Sequence, residues 1–152
     1  MGRVEGGFGE RRSGEDSVTE IEDKELQQAQ KYLSFWQREL RLDHVDIEIY
    51  IMRPEEREHS ILADCRQSPP YHTQKIKIRN PTDRTERDGA FFRRNLEVCV
   101  VHELLHTKEI PWYDHPKVKE VIDKDEWLNQ LHEDSLDAVA EALVRARRGI
   151  TR

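Results

Sequence analysis

Two histidines in one short stretch of this chain are spaced to bind a single metal ion. His102 and His106 flank Glu103 in the pattern H-E-x-x-H, within residues 98–106, an apolar run that contains neither Pro nor Gly. On a helix, residues four apart leave the same face, so both imidazoles can reach one zinc ion at about 2.0–2.1 Å. Glu103 is then placed to take a proton from a zinc-bound water, which makes a hydroxide nucleophile.

The same pattern also fits an amphipathic helix with two exposed histidines that bind nothing. The neighbours of the histidines favour the metal site, because they are aliphatic: Val98, Val101, Leu104 and Leu105. Such neighbours imply burial, and a buried imidazole needs a polar partner or a metal.

A later helix supplies carboxylates. Asp123 and Asp125 are both suitable N-caps for it, and Gly149 is suited to end it. Leu136, Ala140 and Leu143 form one apolar stripe on this helix. Glu133 lies on the stripe one turn before Leu136, and Asp137 faces the same way. Two inward carboxylates are compatible if a cation neutralises one and an imidazole N–H meets the other. In the alternative interpretation, Glu133 reaches solvent from the edge of the helix.

Together the two motifs resemble the gluzincin metallopeptidases, which carry HExxH on one helix and E-x-x-x-D on a second. The resemblance implies that His102, His106 and Glu133 bind one zinc ion per chain. It also implies that Glu103 is the general base and that Asp137 orients His102. The helix–strands–helix–helix order of residues 20–147 is similar to the minimal zincin domains called minigluzincins, and to metallopeptidases of phage type.

The chain also departs from related patterns. The longer metzincin motif is absent, since Trp112 stands where its third histidine would be. The histidine and tyrosine that stabilise the oxyanion in larger gluzincins have no clear counterpart. Tyr113 and His115 are candidates for that role or for substrate binding, and further candidates are Tyr71, His72 and His132. His115 is also an alternative ligand if its loop carries it to the metal. His132 points about 100° round the helix from Glu133 and is predicted to be exposed.

The remaining sequence predicts the elements that position these residues. Residues 1–18 are rich in Gly, Arg, Glu and Ser and are predicted to be a disordered tail, followed by one domain over residues 19–149. Hydrophobic periodicity predicts helices over residues 19–42, 90–108 and 117–122 and strands over residues 44–52, 60–67 and 71–79, with a loop at residues 110–116.

The predicted fold class is α+β. By the resemblance it is a minimal zincin-like domain with an N-terminal backing helix, a small mixed three-stranded sheet, an HExxH active-site helix and a C-terminal glutamate helix. The first helix is expected to back the sheet, and the active-site helix is expected to meet the opposite face. The family likeness makes the strand at residues 60–67 the sheet edge that pairs with an extended substrate.

Composition excludes several classes of protein. The net charge is −6 without a basic stripe, which argues against nucleic acid as a partner. Two cysteines, Cys65 and Cys99, do not make a disulfide scaffold. No apolar run approaches the roughly 20 residues of a membrane span, and a signal peptide is not recognisable. The sequence therefore predicts a cytoplasmic monomer.

The predicted function is zinc-dependent hydrolysis of peptide bonds in a peptide or protein substrate. The first alternative is an interaction or regulatory protein that binds zinc but lacks an efficient peptidase cleft. The second alternative is a zinc-free helical module, which the inward pair of Glu133 and Asp137 disfavours.

Overall fold

The computed structural model describes residues 15–52, 63–68, 73–79, 95–113 and 115–149. Within these ranges the elements run in the order α1 (Glu15–Glu39), β1 (Asp46–Ile51), β2 (Ala63–Ser68), β3 (Thr73–Ile78), α2 (Leu96–Tyr113), α3 (Pro116–Lys124) and α4 (Glu126–Arg147). The predicted α+β class is confirmed.

The strands pair in the order β1-β3-β2, with β3 in the middle. β1 runs parallel to β3, so that Ile49 lies opposite Ile76 and Ile51 opposite Ile78. β2 runs antiparallel to β3 and forms an edge of the described sheet. Ile76 and Ile78 are fully buried, which is expected of β-branched side chains at the centre of a sheet.

On β1 and β3, only one face of this sheet is apolar. Along β3 the buried side chains are Gln74, Ile76 and Ile78, whereas Thr73 and Lys75 are exposed. Lys75 pairs with Glu48 of β1 on that second face, and both side chains are more than half exposed. Within the described part of the chain, the alternation therefore leaves the second face of β1 and β3 in contact with solvent.

α1 and α2 both cover the apolar face, so the prediction that they lie on opposite faces is wrong. α1 and α2 also pack against each other. One core cluster joins side chains of the sheet to side chains of α1 and α2, among them Ile76, Ala29, Leu33, Trp36, Val100, Val101 and Leu104. A sheet with a single apolar face can bury helices on that side only.

Three element boundaries lie four or more residues from their predicted positions. α1 begins at Glu15, inside the stretch predicted to be disordered. The sequence places Glu15 and Asp16 in its first turn, where acidic residues are favourable. α2 begins at Leu96 rather than near residue 90, and it continues to Tyr113 through the predicted loop. Pro111 lies in this extension, where it removes one backbone hydrogen bond of the helix. Residues 1–14, 60–62, 71–72 and 90–94 of the predicted segments lie outside the described residues.

The ends of α4 follow the predicted caps. The Asp125 carboxylate accepts hydrogen bonds from the backbone N–H groups of Trp127 and Leu128, which satisfies two donors of the first turn. Gly149, after the helix, has φ +67°, a conformation that glycine adopts without strain. Among the described residues, no helix combines the length and the apolar character that crossing a bilayer requires.

Candidate metal centre

α2 and α4 together carry the predicted site. The N-terminal end of α2 meets the C-terminal end of α4, where Glu97 contacts Arg147 and Arg148. Further along α2, His106 meets Glu133, which lies nearer the start of α4. The two helices are therefore antiparallel, and each contributes one face to the site.

Three potential ligand atoms converge between these helices. His102 Nε2 lies 3.1 Å from His106 Nε2 and 3.1 Å from Glu133 Oε2. The third side of the triangle, from His106 Nε2 to Glu133 Oε2, measures 3.4 Å. Ligand atoms around a tetrahedral zinc ion at about 2.0–2.1 Å lie about 3.3 Å apart, so the triangle has the dimensions of such a site. Among the described residues, this His-His-Glu group can hold a metal ion.

Asp137 contacts the other nitrogen of the same histidine. His102 Nδ1 lies 2.7 Å from Asp137 Oδ1, and a carboxylate at that distance accepts the Nδ1 proton. In a neutral imidazole this leaves a lone pair on Nε2, which faces a second carboxylate oxygen on Glu133. Two acceptors at 3.1 Å require a cation or a proton between them. The donor set therefore fits a metal ion at this position.

The neighbouring charges shift the pKa values of His102 and Glu133. Burial alone would lower the pKa of His102. The hydrogen bond with Glu133 and the negative charges of Glu103, Asp137 and Glu133 raise the pKa by more than burial lowers it, so the pKa lies above its usual value. Burial raises the pKa of Glu133, but hydrogen bonds with His102 and His106 outweigh it and hold the pKa far below the usual range. Glu133 is therefore a carboxylate at neutral pH, which is the form that binds a metal.

The site is buried on one side and open on the other. The His102 side chain is 5% exposed, whereas His106 and Glu133 are 26% and 38% exposed. Glu103 is buried beside His102, and its negative charge contributes to the raised pKa of that histidine. Solvent therefore reaches the ligand triangle from the side of His106 and Glu133.

His132 lies closer to the site than the sequence predicted. Its ring centroid is 5.8 Å from that of His106, and its side chain is only 13% exposed, so the prediction of an exposed neighbour is wrong. His132 precedes the buried Leu136 by four residues, and this i,i+4 spacing extends the inward face of α4 to it. The four-residue spacing between His132 and Leu136 was the sequence signal for the inward position of His132.

The candidates for the oxyanion role are placed only in part. His115 is exposed in the bend before α3, and among the described residues it is not a member of the metal-binding group. Tyr113 is the last residue of α2, but its side chain lies outside the described part of the structure. Tyr71 and His72 lie outside the described residues altogether.

Comparison of the chain with protein-family models, with curated proteins and with solved structures gave no match.

Proposed function

We propose that this protein is a zinc-dependent metallopeptidase of gluzincin type, with His102, His106 and Glu133 as zinc ligands and Glu103 as general base. The observation that carries the proposal is the triangle of 3.1, 3.1 and 3.4 Å between the three ligand atoms. A bare H-E-x-x-H pattern does not require a carboxylate from another helix at this distance. The triangle also leaves an open side, which a catalytic zinc site needs for water and substrate.

The residues of the chain have distinct roles in this proposal. A bound zinc ion would polarise the scissile carbonyl and lower the pKa of the attacking water. Glu103 accepts a proton from that water as the new C–O bond forms, and it returns the proton to the amine nitrogen as the C–N bond breaks. Asp137 holds the His102 ring by its Nδ1 proton, so that Nε2 keeps its lone pair directed into the site.

The proposal extends to the fold and to the substrate. A backing helix, a mixed sheet, the H-E-x-x-H helix and the glutamate helix follow one another in the order expected of a minimal zincin domain. β2 is an edge of the described sheet, and α2 packs against it, so a peptide added to that edge would run past the helix that carries His102. The proposed substrate is accordingly a peptide or an unfolded protein in extended conformation.

The substitution Glu103→Gln tests the proposal, because glutamine keeps the size of the side chain but cannot take the proton. We expect the variant to keep its zinc and its fold, and to lose hydrolysis of an unfolded protein by about 10²- to 10⁴-fold. Glu120→Gln is the matched control, since Glu120 is exposed on α3 and pairs only with Lys124 among the described contacts. The control should hydrolyse the substrate at the wild-type rate.

Equal hydrolysis by wild type and Glu103→Gln would contradict the assigned role of Glu103. Full zinc occupancy without hydrolysis of any unfolded protein by the wild type would contradict the peptidase and favour the zinc-binding regulatory protein.

A further inference from the structure

A buried carboxylate lies away from the metal triangle, at the other end of the α2–α4 contact. Glu97 is 1% exposed and accepts a hydrogen bond from the Trp36 indole N–H of α1 at 2.9 Å. Its Oε2 accepts from Arg148 Nη2 at 2.8 Å and from Arg148 Nε at 3.1 Å. Its Oε1 accepts from Arg147 as well. We call these four residues the Glu97 cluster.

The cluster joins three helices at one point. Arg147 and Arg148 lie at the end of α4, Glu97 lies in the first turn of α2, and Trp36 belongs to α1. The Arg147 guanidinium also lies 4.2 Å from the ring centroid of Phe35 on α1, which is within the range of a cation–π contact. The end of α4 is therefore attached to both of the other helices.

Apolar packing alone specifies the position of α4 along α2 only weakly. The buried apolar residues of α4 recur every four positions, at Leu136, Ala140 and Val144. A slip of one helical turn, about 5.4 Å, would move two of them to the positions of their neighbours, so the apolar stripe would still face α2. The same slip would remove Glu133 and Asp137 from their present contacts with His102, so that Glu133 would leave the ligand triangle.

The Glu97 cluster removes this ambiguity. After a one-turn slip, the buried Glu97 carboxylate would lose its arginine partners, and an unpaired buried charge is strongly unfavourable. Polar contacts within a helix interface are a known means of fixing helix register.

We propose that Glu97 is a positioning residue for the metal centre: through Arg147 and Arg148 it fixes the axial register of α4 against α2, which brings Glu133 and Asp137 to His102. The effect on zinc binding rests on the proposed function, but the register of the helices does not, because the contacts of Glu97 with Arg147 and Arg148 involve no metal.

The test compares wild type with Glu97→Gln by two measurements. The first is zinc affinity, by titration of the folded protein with a competing chelator. We expect at least about 10-fold weaker binding, the lower range for loss of a group that orients metal ligands. The second is the His102 Nδ1 proton resonance of the metal-free protein, by proton NMR. Its hydrogen bond to Asp137 shifts that resonance downfield in wild type, and we expect the shift to be lost in the variant.

Ile49→Val is the control for a purely structural effect. Ile49 is buried on β1, so removing one methylene group weakens the core without touching the contact between α2 and α4. The control should unfold at lower urea concentration and yet keep both the zinc affinity and the His102 resonance. Should Glu97→Gln not fold, Arg148→Gln replaces it, because Arg148 is 39% exposed and its loss leaves Arg147 on Glu97. Like Glu97→Gln, Arg148→Gln is expected to bind zinc more weakly and to lose the downfield shift of the His102 resonance.

Wild-type zinc affinity together with an intact His102 resonance in Glu97→Gln would overturn the proposal. Equal losses in Ile49→Val would overturn it too, since they would assign the effect to stability. A wild type that binds no zinc would contradict the proposed function, whereas loss of the His102 resonance in Glu97→Gln would still support the register role.

Discussion

Asp137 Oδ1 lies 2.7 Å from His102 Nδ1, across the interface between α4 and α2. The contact fixes the plane of the imidazole ring and keeps a proton on Nδ1, which donates it in a hydrogen bond to the carboxylate. Nε2 is therefore available on the other side, where His106 Nε2 and Glu133 Oε2 lie within 3.1 Å of it. One hydrogen bond thus determines which nitrogen of His102 faces the other two ligand candidates.

Asp137→Ala is expected to weaken zinc binding by roughly 10- to 100-fold without abolishing it, because the three ligands remain while the His102 ring is no longer held. A chelator competition titration measures the change. Asp134→Ala is the matched control, since Asp134 is exposed on the same helix and accepts a hydrogen bond from Gln130. Coincident titration curves for Asp137→Ala and wild type would show that the contact does not support the metal site.

His106→Ala and Glu133→Ala should each lose most of the zinc, because each removes one of three protein ligands from the triangle. His132→Ala provides a control of the same residue type, as its ring lies 5.8 Å from that of His106 outside the ligand group. We expect His132→Ala to keep its zinc after gel filtration, as measured by elemental analysis. Zinc retained by Glu133→Ala would exclude Glu133 as a ligand, and zinc lost from His132→Ala would mean that the ligand set is incomplete.

Local sequence signals predicted the elements that carry the site. The bounds of α4 were predicted from the cap at Asp125 and from the glycine at position 149. The spacing of Leu136 and Ala140 predicted that Glu133 faces inward. These signals are local, because caps and helical periodicity depend on residues within one or two turns. The class of the fold followed from these signals. The convergence of the two motif helices was instead predicted from the need of two inward carboxylates for a cation and an imidazole, and from the resemblance to the gluzincins.

Contacts between distant residues were not accessible in the same way. The pairing of Glu97 with Arg147 and Arg148 joins residues 50 and 51 positions apart, and no local pattern indicates it. The sheet face covered by α2 also depends on a long-range choice, which Thr107 illustrates by its hydrogen bond to Gln74 of β3. Hydrophobic periodicity indicates that a helix has an apolar side, but it does not indicate which surface that side will pack against.

The stability of the metal-free protein should depend on pH through Glu97. Burial raises the pKa of this carboxyl group, but hydrogen bonds from Trp36, Arg148 and Arg147 outweigh burial and hold the pKa below its usual value. A lowered pKa in the folded state stabilises the protein above the unfolded-state pKa of about 4.3, and that stabilisation is lost as the pH falls through the folded-state pKa.

Glu97→Gln should therefore unfold at lower urea concentration than wild type at neutral pH, and the difference should narrow in acid below about pH 4. Glu141→Gln serves as the control, because its exposed pair with Arg145 contributes little at either pH. A difference between wild type and Glu97→Gln that stays constant from neutral to acid pH would contradict the assigned ionisation of Glu97.

Zinc K-edge X-ray absorption on the protein loaded with one equivalent of zinc tests the metal centre most directly, because it reports the ligand atoms themselves. The expected spectrum shows nitrogen and oxygen ligands at about 2.0–2.1 Å, with the multiple scattering of two imidazole rings and no sulfur. Sulfur at about 2.3 Å would instead assign the metal to a cysteine such as the buried Cys99. Such a spectrum, or the absence of bound zinc after removal of the excess, would contradict the proposed site of His102, His106 and Glu133.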